Sequence, residues 1–458
     1  MSIDGTEIDD KTVYVNIDHK TEKSTTNLFG GYFDWKVDGG QRWLKAGNVK
    51  HLADAPDATN NLSFDGQTKQ NHGYLMTLNH VQKFSDKWSA FANMGTNYYK
   101  EYKDDPQGGS LTLGDYGKLS GTFRNYKSES RGLYTQFGVA NETKSEDITN
   151  RLSFAVDYFS YKSRAINSGS AKGQATIEGD IWNGVHIVGK PIPAGTLEDA
   201  LYSRENAKAL TIADRVEFGK TSVYVAAQYR DSEYKSSSKD AKTISKKSLN
   251  PSFAMAYKPI EKVSLYASYA ESYTRPFEVS KDYDNAGEIF EPIKNKQKEV
   301  GLKYDNAGIL HSFALFDLNQ GNYIKQDSNG PKGQIYTQEG ENRFKGIEYS
   351  LTGKVAPKWN LMGGFMYLDG KREKLEKGKE NLEGKFTTGT PKWNAVLAAE
   401  YEADKNTSLV GRVNYTGKSH VNDNGVETPA FATVDFGVKH IDRKSTRLNS
   451  SHHGIWFG

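Results

Sequence analysis

The chain has 458 residues and 60 Lys and Arg against 57 Asp and Glu, a formal net charge of +3 that argues against a nucleic-acid binder working through a basic field. It contains no cysteine, which excludes disulfides, thiolate metal sites and thiol nucleophiles. Its mean hydropathy is −0.73, and apolar runs of about five residues, such as 395–399, are far short of the ~20 that a membrane helix needs.

Aromatic residues make up 12% of the chain and glycine contributes 44 residues. That balance points to a large β-protein rather than to disorder, which is poor in aromatics. Met1-Ser2-Ile3-Asp4-Gly5 opens the chain without a basic segment and apolar core of a signal peptide. Two readings stand: a cytoplasmic protein, or a chain that begins inside a longer gene.

In chain order, the recurring pattern is a period of two. Leu152, Phe154, Val156 and Tyr158 oppose Ser153 and Asp157. Val223, Val225, Ala227 and Tyr229 alternate with Gln228 and Arg230. Trp393, Ala395, Leu397, Ala399 and Tyr401 share a face opposite Asn394 and Glu400. Leu409, Gly411, Val413 and Tyr415 oppose Arg412 and Asn414, and Ala432, Val434, Phe436 and Val438 oppose Thr433, Asp435 and Lys439. Side chains alternate across a strand, so each segment predicts a strand with one apolar and one polar face.

The connections alternate in length. Short turns fall at 257–262, 304–308, 354–358 and 402–406. Long polar segments fall at 100–118, 163–207, 231–249, 273–296, 319–342, 370–388 and 417–429. Short turns at one end and long loops at the other predict an up-and-down barrel of the outer-membrane type. Tyr269, Tyr304, Tyr367, Tyr401 and Tyr415 lie near strand ends, where aromatic girdles sit. A soluble sandwich or propeller is the competing fold. A propeller needs a repeat of ~40 residues, which is not seen, and sandwich strands average ~5–6 residues, shorter than several here. The fold class read from the pattern is all-β, a large antiparallel transmembrane barrel of roughly 16–18 strands.

Further residues carry a family resemblance. Asn250-Pro-Ser-Phe-Ala-Met-Ala-Tyr-Lys-Pro259 and Val263-Ser-Leu-Tyr-Ala-Ser-Tyr-Ala-Glu-Ser272 are followed by Lys296-Gln-Lys-Glu-Val-Gly-Leu-Lys-Tyr304 and Phe313-Ala-Leu-Phe316. Then come Phe344-Lys-Gly-Ile-Glu-Tyr-Ser-Leu-Thr-Gly353, Trp359-Asn-Leu-Met-Gly-Gly-Phe-Met-Tyr-Leu-Asp369, Gly389-Thr-Pro-Lys-Trp393 and Pro429-Ala-Phe-Ala-Thr-Val-Asp-Phe-Gly437. In this order the segments resemble the barrel of TonB-dependent siderophore receptors, most of all those for ferric hydroxamates. Residues 1–249 are compatible with barrel strands and loops but carry no sharp motif.

The resemblance implies an outer-membrane receptor of a Gram-negative-type bacterium that imports a ferric siderophore. Its partners would be the ferric siderophore, outer-membrane lipid and the TonB energising complex, reached through a plug that nothing in this sequence resembles. No nucleic acid, enzymatic activity or resident cofactor is expected, because iron arrives chelated by the siderophore. The family also continues past a strand such as 430–440. Here alternation stops at His440, and 444–452 resembles translated sequencing-adapter read-through. The expected organisation is therefore a partial barrel over 1–442 and a non-native tail over 443–458 outside the sheet. Same-fold receptors for cobalamin, haem or carbohydrate, and a porin-like channel, remain alternatives.

No catalytic or metal-binding motif is present. Aromatic rings that stack on a chelate, and Arg side chains that bond its outer oxygens, are the expected ligand contacts. The candidates are Tyr98, Tyr99, Trp182, Tyr273, Arg275, Tyr283, Tyr323 and Tyr336. Tyr273 and Arg275 lead, because Ser272-Tyr-Thr-Arg-Pro276 follows a strand end on the long-loop side.

Overall fold

The computed structural model describes residues 5–40, 43–57, 59–169, 171–237, 239, 241–274, 277–279, 283–375, 383–441 and 455–457. Its frame is a meander of long strands. They are β1 (Glu7–Lys20), β2 (Ser24–Asp38), β3 (Thr68–Lys83), β4 (Trp88–Pro106), β5 (Lys118–Lys144) and β6 (Ile148–Asn167). After a long excursion come β7 (Ser203–Phe218), β8 (Thr221–Lys235), β9 (Ile244–Ile260), β10 (Val263–Tyr273), β11 (Lys294–Asn306) and β12 (Ile309–Asp327). The series ends with β13 (Gln334–Ala356), β14 (Trp359–Lys374), β15 (Trp393–Glu402), β16 (Thr407–Thr416) and β17 (Phe431–His440).

Each strand pairs antiparallel with the next. Every second connection therefore lies at the same rim. The turns after β9, β11, β13 and β15 share one rim, as the connection lengths predict. Asn306-Ala307-Gly308 shows how tight these turns are. Ala307 and Gly308 have φ of 54° and 89°, the positive pair that a two-residue type I′ hairpin requires, and Asp305 Oδ1 accepts the Gly308 N–H at 3.0 Å.

Several strands run further than the alternation shows. Residues read as long loops at 100–118, 231–249 and 319–342 are partly ladder, and β12 and β13 are joined through 328–333 alone. The tail expectation also needs correction. Ile455–Phe457 pairs antiparallel with Phe436–Val438 at the sheet edge, so 443–458 is not wholly outside the sheet. An apolar Ile-Trp-Phe triplet suits a strand, and an unpaired edge is a template for one. Residues 442–454 and 458 lie outside the described residues. Among the described residues no ladder joins β1 to β17. The two ends instead meet at the long-loop rim, where Asn422 Nδ2 donates to the carbonyls of Gly47 and Val49 at 3.2 and 2.8 Å.

The strand faces are inverted relative to a soluble protein. Leu265, Leu397, Leu409 and Val434 are exposed, and Val223 shares its face with the exposed Val225 and Tyr229. On the opposite face Asn93 donates to Gln136 at 2.7 Å, and Gln228 and Asn250 lie side by side in the ladder. Arg412 and Asp435, paired in register, bond at 2.8 Å on the same polar side as Asn394. An apolar belt outside and polar side chains inside is the barrel pattern that spans a membrane.

Inside the wall, Gly346 lies under the Phe316 ring. A Cβ there would meet Phe316 Cε1 and the Tyr367 carbonyl oxygen, both at 2.6 Å. The carbonyl is backbone and cannot step aside. Gly346→Val should therefore lower stability by about 1–3 kcal/mol, read as a lower urea midpoint for loss of heat-modifiable gel migration. An unchanged midpoint would show that β12–β14 can spread.

The buried apolar cluster is not in the barrel. Leu62, Phe64, Leu111, Leu119, Phe123, Ala175, Ile177 and Ile181 pack together at the long-loop rim. They pack on a small mixed sheet in which Trp43–Ala46 runs parallel to Ser110–Leu113. The sheet continues through the start of β5 to Thr176–Asp180 and Gly184–Val188.

Candidate binding site at the long-loop rim

The structure separates the eight sequence candidates. Tyr98 and Tyr99 are neighbours on β4 and so point to opposite faces. Tyr98 stacks at 5.8 Å on the exposed Tyr74, and the Arg131 guanidinium lies 5.3 Å from its ring. This is the outer face. Tyr273 ends β10 on the outer face as well, with Lys294 Nζ 5.2 Å from its ring. Lys294 also pairs with Glu271 at 2.9 Å. Trp182 caps the hairpin turn of the mixed sheet and is 47% exposed. Arg275 lies outside the described residues.

Tyr99 faces the lumen within a polar network that the sequence did not disclose. Its hydroxyl donates to Asn71 Oδ1 and, at 3.3 Å, to Glu101. Glu101 is buried and pairs with Lys103 at 2.8 Å and Lys69 at 3.6 Å. Lys69 Nζ stands 5.0 Å from the Trp35 ring centre. Arg124 bonds the buried Asp105 at 3.1 Å and lies 4.9 Å from the Tyr126 ring. Cations and aromatic rings thus share one stretch of inner wall, with Lys69 and Lys103 paired to Glu101 and Arg124 to Asp105.

The remaining three candidates come together. Tyr283 and Tyr336 lie 4.7 Å apart, Tyr336 and Tyr323 6.0 Å, and Tyr323 and Phe290 5.7 Å. Lys325 Nζ stands 5.6 Å from the Tyr283 ring. Four rings from three segments form one stack, and Phe290 at its inner end is buried. Phe290 is placed here by its pairing with Phe277 in a ladder two residues long, invisible in a polar loop sequence.

Two side chains clamp this stack. Asp284 accepts from the Ser328 hydroxyl and, at 2.8 Å, from the Lys332 N–H. Asn285 Nδ2 donates to the Tyr336 carbonyl at 2.8 Å, and its Oδ1 accepts the Tyr336 N–H at 3.0 Å. The Ser328 hydrogen bond, then the Lys332 amide, hold the Asp284 carboxyl below the usual carboxylate range. A depressed folded pKa means that the stabilisation is present above the unfolded value of ~3.9 and is lost as pH falls through the folded one. Protection of the Lys332 amide against hydrogen exchange, relative to its intrinsic rate, should therefore persist at pH 5 and drop below about pH 4. In Asp284→Asn the drop should vanish; a drop of the same size there would place the clamp elsewhere.

The mixed-sheet strand Ser110-Leu-Thr-Leu113 alternates polar and apolar residues, but over four residues only, too few to mark the module in the sequence. Among the described residues no three His, Asp or Glu side chains are placed to hold a metal ion.

The family described as TonB dependent receptor-like, beta-barrel matches residues 14–449. The chain belongs to that family. It is 23% identical over 465 residues to the ferrichrome receptor FcuA of Yersinia enterocolitica, covering 95% of this chain and 58% of that protein. It is 24% identical over 395 residues to the metal-pseudopaline receptor CntO of Pseudomonas aeruginosa, covering 81% and 53%. Among solved structures, BauA, the ferric preacinetobactin receptor of Acinetobacter baumannii, superposes with a TM-score of 0.86 at 21% identity, over 96% of this chain and 66% of that one. The chain thus spans between about half and two thirds of the length of these proteins, and the structural match shows a shared fold.

Proposed function

We propose that this barrel is the wall and mouth of an outer-membrane receptor for a ferric siderophore, in a transporter energised through TonB. The observation that carries the proposal is the stack of Tyr283, Tyr336, Tyr323 and Phe290 at the mouth of a family barrel, with Lys325 beside it. A ferric hydroxamate is a compact chelate with apolar arms and outward oxygens. Rings stack on the arms, and cations meet the oxygens. The siderophore supplies every iron ligand, so iron is cargo and no protein metal site or resident cofactor is needed. The names of the relatives support the cargo class: one is a ferrichrome receptor and another a ferrichrome outer membrane transporter and phage receptor of Escherichia coli. Inner-wall Lys69, Lys103 and Arg124 then lie along the path from mouth to lumen. Gating is assigned to the portion of the relatives' length that this chain does not span.

The test is titration of the folded chain in detergent with a ferric hydroxamate, haem and cobalamin, read by quenching of intrinsic fluorescence. Saturable quenching by the ferric hydroxamate is expected. Saturation by haem or cobalamin alone would replace the cargo while keeping the fold.

A further inference from the structure

Two aromatic rings stand open at the top of the long-loop rim, on the module built around the mixed sheet. β5 is the longest strand among the described residues, 27 residues from Lys118 to Lys144. Lys144 lies at the short-turn rim, so the turn 115–117 that leads into Lys118 stands at the far, upper end of the strand. Tyr116 in this turn is 75% exposed. Next to it, at the turn of the hairpin whose first strand pairs with β5, is the half-exposed Trp182.

Both residues are held rigidly. Tyr116 has φ and ψ of 55° and 35°, in the left-handed region. That conformation costs a non-glycine residue on the order of 1–3 kcal/mol and persists only where the surroundings over-determine it. Here Asp115 Oδ1 accepts the N–H groups of Lys50 and His51 at 2.8 and 3.1 Å. The Gly117 carbonyl accepts the Ile181 N–H at 3.0 Å. Asp180 Oδ1 accepts the N–H groups of Trp182 and Asn183 at 2.9 and 2.7 Å, and the Trp182 carbonyl accepts from Asn60 Nδ2 at 3.1 Å. The indole rests against Gly117, where a Cβ would come within 2.8 Å of Trp182 Cη2 and Cζ3. One side of the ring is therefore backed by main chain and the other is open.

The tip is turned away from the cargo path. Ile181, Leu119 and Phe123 belong to the buried cluster, and on β5 Leu119 and Phe123 alternate in phase with the outward Phe137 and Val139. Trp182, seated over Gly117 and Ile181, stands on that outer side. The opposite face of the sheet, with Ser120 and Thr122, continues the lumen wall of Arg124 and Tyr126. Trp43 belongs to this second face, because Leu44 packs on the cluster.

Polar groups surround the two rings. Among the described residues Asp115 uses only Oδ1, and Asn183 gives its Nδ2 to Asp180 at 3.1 and 3.0 Å, which leaves its Oδ1 to accept. Lys50, His51 and Lys118 are exposed. Flat apolar surface set among such groups matches a ligand with one C–H face and hydroxyls around its edge, which describes a pyranose ring. An apolar peptide would bury these polar groups without partners, and an anionic ligand would meet the carboxylates of Asp115 and Asp180.

We propose that the Tyr116–Trp182 tip binds a neutral saccharide chain outside the cell, with sugar rings stacked on the two aromatics and hydroxyls bonded to Asp115 and Asn183. The site is separate from the cargo path and rests on the reading of the long-loop rim as the external one.

The test uses the whole chain, folded in detergent and run in native gels cast with a soluble β-linked glucan or β-linked galactan. Retardation by one of these neutral polysaccharides is expected. Trp182→Ala and Tyr116→Ala should each raise the dissociation constant roughly 3- to 10-fold. Trp182→Phe, which keeps a ring, should raise it much less. Trp43→Ala removes an 85% exposed indole from the other face of the same sheet and should run as the unaltered chain does. No retardation in either gel, or a loss at Trp43 as large as at Trp182, would overturn the proposal. Stronger retardation by dextran sulfate would overturn the neutral assignment. Heat-modifiable migration and ferric hydroxamate titration are read on the same proteins. If Trp182→Ala fails to fold, Tyr116→Ala decides, since its exposed side chain lies outside the buried cluster. A folded Trp182→Ala that loses the ferric hydroxamate as well would place Trp182 in the cargo path and overturn the proposal. Lost retardation with cargo binding intact supports it.

Discussion

Replacing Leu397 by arginine should destabilise the barrel in lipid by about 2–4 kcal/mol, the cost of a basic side chain near the bilayer midplane. Leu397 is 51% exposed on β15, with Gly363 and Val413 as its register neighbours on β14 and β16. It lies in the middle of the ladder, away from both rims. Val396, one residue earlier, points to the lumen, where Asn394 and Asn414 line the same shallow cavity. Val396→Arg therefore keeps its charge among polar groups and should cost much less. The measurement is urea-dependent refolding into lipid vesicles, the two variants side by side. Equal costs for both positions, or a larger cost at Val396, would invert the strand, because a slip of one residue exchanges every inner and outer side chain.

Removing both rings of Tyr323→Ala and Tyr336→Ala should weaken ferric hydroxamate binding by about 5- to 150-fold. Each aromatic contact is worth ~0.5–1.5 kcal/mol beyond its buried area, and ~1.4 kcal/mol is a factor of ten. Tyr336→Phe keeps the ring, and should bind nearly as the parent does. The clamp on Tyr336 comes from Asn285 to its backbone, so truncating the side chain leaves the loop held. Tyr98→Ala is the comparison, since that ring packs on Tyr74 outside the wall. Fluorescence titration of the four proteins decides the matter. A loss at Tyr98 as large as at the Tyr323 and Tyr336 pair would remove the ring stack from the binding site.

The alternation along Leu152–Tyr158, Val223–Tyr229, Trp393–Tyr401 and Phe431–Val438 determined the strands, their two faces and the meander. Side-chain direction in a strand is local, so a period of two survives in the sequence whatever the strand pairs with. The turn after Asn306 was legible for a similar local reason, since Asp305 and Asn306, with Gly308 two residues on, act on their own backbone. Strand ends were less legible. β4 and β13 run on through polar residues above the apolar belt, where alternation has no hydrophobic contrast to mark it.

Tertiary structure alone decided what lies beside what. Tyr283 meets Tyr336 because Asp284 and Asn285 bond segments about fifty residues apart. Glu101 finds Lys69 and Asn71 through the β3–β4 ladder. Register depends on hydrogen bonds between distant segments, and a one-residue slip would leave the sequence pattern of each strand unchanged while moving every neighbour. The mixed sheet of Leu111, Leu119 and Ile177 was hidden for a related reason: its strands are four or five residues long and come from separate loops, too short for their period to stand out.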